Sequence, residues 1–282
     1  MNMKKKMLVV LWFCLNFLAL VSLISANFGK LPAGSTSKSK MGKTSEIVLY
    51  LVFDPSLIRE EIPNNIRVLS LEEMATKGDE FDKYLKLHPE HKKWAWSFFE
   101  IIGTESLSAN DQIAKFTTKG GLAVWYVSCE QRDPKDPRAL GYQMLAMGTW
   151  LSDQSLAAYC KSNGWPWEKG EIKYWEDDSG LINGLLKTAD FEIMGICKRQ
   201  KPIKMQAKYP AYQTYWSPLP YARSFEVVTF YGHKAESCSA QWTFKGNHPL
   251  IKAYHSRAEG SVLISGTEYS WDYVLKGALY FY

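Results

Sequence analysis

Cysteine is scarce in this chain. There are five in 282 residues, and Cys14 falls inside the N-terminal apolar run, which leaves Cys129, Cys160, Cys197 and Cys238. Their wide spacing excludes a dense disulfide scaffold and any recognised zinc pattern. In an oxidising compartment they allow up to two disulfides with three alternative pairings, or they remain buried thiols that pack as small hydrophobes. Charge of one sign is also scarce. The 34 basic residues exceed the 29 acidic ones by five, and three of the lysines lie in residues 1–26, so the rest carries only +2. That balance gives no basic stripe for nucleic acid. There is no Ser/His/Asp elbow, no phosphate-cradling glycine loop and no internal repeat. Past the N-terminus there is no second apolar run of membrane length.

What is present begins with an export signature. Lys4, Lys5 and Lys6 precede the almost wholly apolar stretch Met7 to Ile24, and Ser25-Ala26 offers a small-residue cleavage site. This predicts a signal peptide over residues 1–26 and a secreted or periplasmic location. The alternative is an uncleaved N-terminal anchor, the one route to membrane contact, because the run approaches the roughly 20 residues that span a bilayer. Residues 27–45, rich in Gly, Ser and Lys, read as a flexible tether. Residues 46–282 then form a single domain. The chain is 46% hydrophobic and 14% aromatic, which suits a large core.

Within that domain the apolar runs are short and closely spaced. Ile47–Phe53, Ile66–Leu69, Trp94–Gly103, Gln112–Thr118, Leu122–Ser128, Tyr142–Leu151, Glu171–Trp175, Leu181–Thr188, Phe191–Lys198, Phe225–His233, Ser237–Phe244, Ser261–Ile264 and Tyr269–Tyr282 read as strands or apolar segments. Gly120-Gly121 reads as a turn, and 200–223 as a Pro- and Tyr-rich connection. Helix patterns are few: Ser56–Glu61, parts of Leu71–Leu87, and Ser152–Lys161. The fold class is therefore mainly β with a few helices (α+β), an antiparallel barrel or sandwich. Glu100 stands out. Strand alternation places it with Trp94, Trp96, Phe98 and Ile102 on one face. A carboxylate among aromatic rings is paired, protonated or catalytic, because an isolated buried charge is too costly.

Three stretches together resemble the acetoacetate decarboxylase superfamily. Glu46 through Pro63 is similar to that family's opening strand, short helix and leucine-proline turn. Phe98-Phe99-Glu100-Ile101-Ile102 resembles the strand that carries one active-site glutamate. Met147-Gly148-Thr149-Trp150 through Gly164-Trp165-Pro166-Trp167-Glu168-Lys169 resembles a glycine, arginine and glutamate turn followed by an aromatic-Pro-Lys motif. The resemblance implies an antiparallel cone-like β-barrel with a buried apolar pocket. It implies a lysine that forms a Schiff base with a carbonyl substrate, and glutamates that manage protons. The chain departs from the pattern in several places. Trp167 follows the proline and the next lysine is Lys169. Thr149 and Trp150 stand where the family has charged residues. The arginine expected before the first strand falls near Thr44, beside Lys43. The second glutamate is sought on the hairpin after Glu100, at Glu105 or Asp111.

The catalytic candidates are therefore Glu100 and Lys169, with Trp96, Phe98, Trp165 and Trp167 as substrate contacts. Glu168 and Glu171 beside Lys169 oppose the low polarity a reactive amine needs. His88-Pro89-Glu90-His91 places two histidines three apart. Metal binding by such a pair needs helical spacing and further ligands, and Pro89 disfavours a helix there, so no metal and no cofactor is expected. His233 and His248 are candidates for one mouth of a barrel. The expected function is a lyase acting on a small keto acid or other carbonyl compound. The alternative is a non-catalytic binder of a hydrophobic or lipid-like acid in the same barrel. The expected partner is a small carbonyl or carboxylic acid rather than nucleic acid, and an oligomer is compatible with the sequence.

Overall fold

The computed structural model describes residues 36–62, 66–109, 112–131, 143–162, 167–203, 208–216, 223–231, 234–255, 258–266 and 268–275. The expected signal peptide and the first part of the expected tether lie outside these residues. The rest of that tether is not a tether. Thr36–Met41 is strand β1 and Thr44–Phe53 is strand β2. Low apolar content misleads at β1 because its strand pairing rests on backbone groups. It pairs with β4 (Ala95–Ala109) on one edge and β15 (Glu268–Leu275) on the other.

The other strands are β3 (Ile66–Val68), β5 (Gln112–Gln131), β6 (Gln143–Leu151), β7 (Glu168–Lys169), β8 (Glu171–Glu176), β9 (Ile182–Lys187), β10 (Phe191–Ile203), β11 (Lys208–Trp216), β12 (Arg223–Tyr231), β13 (Lys234–Gly246) and β14 (Ala258–Gly266). Pairing runs from β4 through β5, β6, β11, β12, β15 and β1 back to β4, which closes a ring. All contacts in the ring are antiparallel except a short parallel one between β6 and β11. A wing of β2, β14, β13, β10, β9 and β8 continues from the other half of β4. The wing folds back onto the ring, since an added Cβ at Gly184 of β9 would meet the side chains of Ile47 and Ile101.

Two large apolar clusters follow from strand alternation. One gathers the even-numbered residues of β2 and β4, such as Val48, Tyr50, Trp96, Phe98 and Ile102, with Leu122, Val124 and Tyr126 of β5. The other gathers Leu49, Leu51, Phe99, Ile101, Trp125 and Trp150 against the wing. Helices α1 (Leu71–Met74), α2 (Glu80–Leu87) and α3 (Gln154–Ser162) plug the first cluster with Leu71, Met74, Phe81, Tyr84, Leu156 and Cys160. A fourth helix, α4 (Pro249–Tyr254), packs Leu250 and Ile251 into the second. Ser70 and Glu73 form a reciprocal capping box that starts α1.

Gly120-Gly121 is not a turn. β5 continues through it as a single strand of 20 residues, with a register shift against β4 beside Gly120. The glycine serves close approach instead, because a Cβ at position 121 would lie 1.9 Å from the carbonyl oxygen of Ile102. Likewise the expected connection 200–223 contains the end of β10 and all of β11. All four cysteines in the domain are buried, and Cys197 on β10 brings its Sγ within 3.2 Å of Cys238 Sγ on β13.

Gly121→Ala is expected to destabilise the domain by about 2 kcal/mol or more, read as a lower urea midpoint, since the new methyl group meets backbone that cannot step aside. Of the pairings the sequence allows, oxidation is expected to join Cys197 to Cys238, which non-reducing peptide mapping would detect.

Candidate functional site

The site is built by register. In the β2–β4–β5–β6 sheet, Val48, Glu100, Val124 and Thr149 stand opposite one another in a single row. The next row holds Glu46, Ile102, Leu122 and Leu151, and the row beyond it begins with Thr44 opposite Thr104. On the other side lie Tyr50, Phe98 and Tyr126. All these side chains share one face, so two carboxyls, Glu46 and Glu100, sit diagonally on adjacent strands. Diagonal neighbours lie roughly 7 Å apart, within reach of long side chains.

Their surroundings are apolar. Glu46 is 1% exposed, and Glu100 is enclosed by protein yet keeps some accessible surface. Trp96 stacks on Tyr50 with ring centroids 6.0 Å apart and meets Phe98 at 5.7 Å. Phe98 in turn lies 5.2 Å from Tyr126. Burial pushes the Glu100 carboxyl up from 4.5 to about 8. Burial also holds Glu46 well above the ordinary glutamate range, and the neighbouring Glu100 adds to the effect. A cation nearby would oppose both shifts, and among the described residues none contributes. Among the residues whose side chains are described, no lysine or arginine is buried. Glu46 Oε1 and Thr44 Oγ1 are buried without a hydrogen-bond partner among the described residues.

The sequence candidates divide accordingly. Glu100, Trp96 and Phe98 come together on the interior face. Trp167 is buried in the same cluster, and Trp165 lies outside the described residues. Lys169 is not brought to the carboxyls. It is exposed on β7, and its Nζ donates to the carbonyl oxygen of Ser152. Glu105 is exposed at a register shift in β4 and pairs with Lys43 at 3.9 Å. Asp111 and His233 are outside the described residues. His248 packs against Phe191, Trp150 and Trp125 in the second cluster rather than facing the acids, and burial lowers it to about 4. The residue the sequence reading missed is Glu46. Its one signal is alternation, which groups it with Val48, Tyr50 and Val52. At the edge of an apolar run it looks like a solvated strand end until the register with β4 is known. A group of metal-type donors also occurs off this face, at His88, Glu90 and His91 on the turn before β4.

No protein-family model matches the chain, and no curated protein matches it. Solved structures do. Acetoacetate decarboxylase from Legionella pneumophila subsp. pneumophila superposes with a TM-score of 0.52 at 10% identity, over 88% of this chain and 89% of that one. An acetoacetate decarboxylase-like enzyme from Sphingomonas wittichii RW1 gives 0.49 at 9% identity, over 86% and 92%. The enduracididine biosynthesis enzyme MppR complexed with pyruvate gives 0.46 at 12% identity, over 89% and 92%. At such identities the likeness is one of fold, and the first of the three carries it. The chain has the mainly-β, barrel-shaped acetoacetate decarboxylase fold that its strand pattern and motif order predict.

The raised carboxyls link stability to pH. Between the ordinary value of 4.5 and about 8 the unfolded chain has released the Glu100 proton while the fold retains it, so stability falls as pH rises through that window. Glu100→Gln is expected to leave stability near pH 4 unchanged and to raise it at pH 8–9 by a few kcal/mol. The double change with Glu46→Gln flattens the profile further. Urea unfolding across the pH range checks both.

Proposed function

We propose that this chain is an exported member of the acetoacetate decarboxylase-like superfamily. In this reading Glu46 and Glu100 move protons on a small carbonyl compound in an apolar chamber, in lyase-type chemistry. The observation that supports the reading most is a pair of carboxyls enclosed on an aromatic face, where burial favours their protonated forms. A carboxylic acid that stays protonated at neutral pH can donate a hydrogen bond to a carbonyl oxygen. When the pair gives up its first proton, which belongs to both groups jointly, one member becomes a carboxylate. That carboxylate takes a proton from the carbon next to the carbonyl, while the other acid donates to the oxygen as negative charge develops there. Glu100 keeps accessible surface although protein surrounds it, which suits a side chain facing a cavity. Trp96, Phe98, Tyr126 and Trp167 then supply apolar and aromatic walls.

The proposed mechanism is not a Schiff-base one. A reactive amine must be desolvated, and Lys169 stands exposed with its ammonium on a main-chain carbonyl. The charges on this face also bear on the substrate. An ionised keto acid would bring a carboxylate for which no described residue supplies a cation, whereas a neutral carbonyl compound, or an acid bound in protonated form, needs none. That no cation is found beside the acids among the described residues favours a second reading, a binder of a protonated apolar acid paired to Glu100 or Glu46.

The test is proton exchange and turnover. Small ketones, aldehydes and β-keto acids are incubated with the protein in deuterium oxide and followed by NMR. Glu100→Gln and Glu46→Gln are each expected to lower the rate about 10²-fold or more, and Lys169→Ala is expected to leave it unchanged. No exchange or decarboxylation above background, together with a co-purifying apolar acid by mass spectrometry, would select the binder.

A further inference from the structure

The turn between α2 and β4 carries a second constellation, chemically unlike the interior face. Pro89–His91 is a 3-10 turn, and side chains three apart nearly eclipse in that geometry. His88 and His91 therefore stack, with ring centroids 5.4 Å apart and planes 21° apart. The proline that argues against a regular helix is what brings them together. Glu90 lies between them, its Oε1 3.5 Å from His88 Nδ1 and 3.8 Å from His91 Nε2. One donor atom from each of the three residues lies within 4.8 Å of the others. Donors around a tetrahedral zinc ion with bonds of about 2.1 Å are separated by about 3.4 Å. The separations of Glu90 from His88 and His91 are already close to that edge.

The surroundings fit a ligand set as well. The Tyr84 Oη lies 2.7 Å from His91 Nδ1. When His91 keeps its Nδ1 proton and donates it to this oxygen, the Nε2 lone pair faces Glu90, which is the tautomer a metal requires. Trp94 stacks on the other side of His91, with centroids 3.8 Å apart, and fixes the plane of the ring. His91 is 6% exposed, while the Glu90 side chain is 61% exposed. The donors thus run from a rigid buried histidine to an open carboxylate, with solvent available for a fourth position.

We propose that His88, Glu90 and His91 form a binding site for a divalent transition-metal ion of the zinc class, with water as the fourth ligand. Two imidazoles and one carboxylate suit such ions better than magnesium or calcium, which prefer all-oxygen shells. The site is structural and separate from the carboxyl pair. It joins the end of α2, whose Phe81 stands edge-on to Trp96 at 6.0 Å, to the start of β4, which carries Trp96 and Glu100. The ion would clamp the helical plug to the strand that bears Glu100.

The test uses the tag-free chain and metal alone. Competition against a chromophoric chelator is expected to show one zinc ion bound per chain. Cobalt is expected to bind with the intense visible bands of four-coordinate geometry and to quench a fluorescence component that Trp94→Phe removes. Zinc is expected to raise the melting temperature. His88→Asn and Glu90→Gln sit toward the surface and are expected to keep the native circular dichroism spectrum while each weakens binding about tenfold or more. Two results overturn the proposal: binding no tighter than millimolar, or one-to-one binding that His88→Asn and Glu90→Gln leave unchanged. Neither depends on activity, so the reading of the carboxyl pair stands or falls apart from this one.

Discussion

The register of three strands governs the molecule. Val48 lies opposite Glu100, and Glu100 opposite Val124. Side chains alternate with a period of two, so a slip of one residue would move Glu46 and Glu100 to the wing side and send Leu49 and Phe99 inward. With the observed register, both acids face the first apolar cluster, where water is displaced by rings and branched aliphatic side chains. Their protonation then follows from burial. The same residue type behaves oppositely nearby. Burial also acts on Glu73, yet hydrogen bonds from Ser70 and Arg67 and the Arg67 charge take its carboxyl down to about 2. What separates them is both the solvent left around Glu73, which is exposed, and the hydrogen-bond and charge partners it is given.

Holding two acids on an apolar face works against stability at neutral pH, and the fold offsets this on both sides of β4. Outside, Phe99 and Ile101 are fully buried against the wing. Inside, the aromatic group around Trp96 excludes solvent, and three helices close over it. The acid-bearing strand is therefore held rigidly by residues of no chemical reactivity, which is the arrangement proton transfer needs.

Much of this was legible beforehand. Alternation in Trp94 to Ile102 identified both the strand and the odd chemistry of Glu100, the density of short apolar runs narrowed the fold to a barrel or sandwich, and the family resemblance chose the barrel. Local pattern failed where tertiary pairing decided the outcome. Thr36–Met41 has almost no apolar character but is a strand because β4 and β15 supply its hydrogen bonds. Gly120-Gly121 has turn chemistry but lies within a strand, because β5 must pass close to Ile102. Glu46 looked like a strand end because nothing in one strand reveals what lies diagonally across the next. Lys169 matched a motif by spacing, but the edge strand on which it sits faces solvent.

β4 has a divided edge. Residues 95–104 pair with β2, and residues 107–109 with β1, with a register shift between the two halves. The seam that closes the ring and the wall that carries the acids are thus successive portions of one strand that lean on different partners. Fraying of β1 from β4 would loosen the seam while leaving Glu100 bonded to β2 on one side and β5 on the other. Opening at the seam would therefore leave the spacing of the two acids undisturbed, because the pairings that set it lie wholly on the other half of β4.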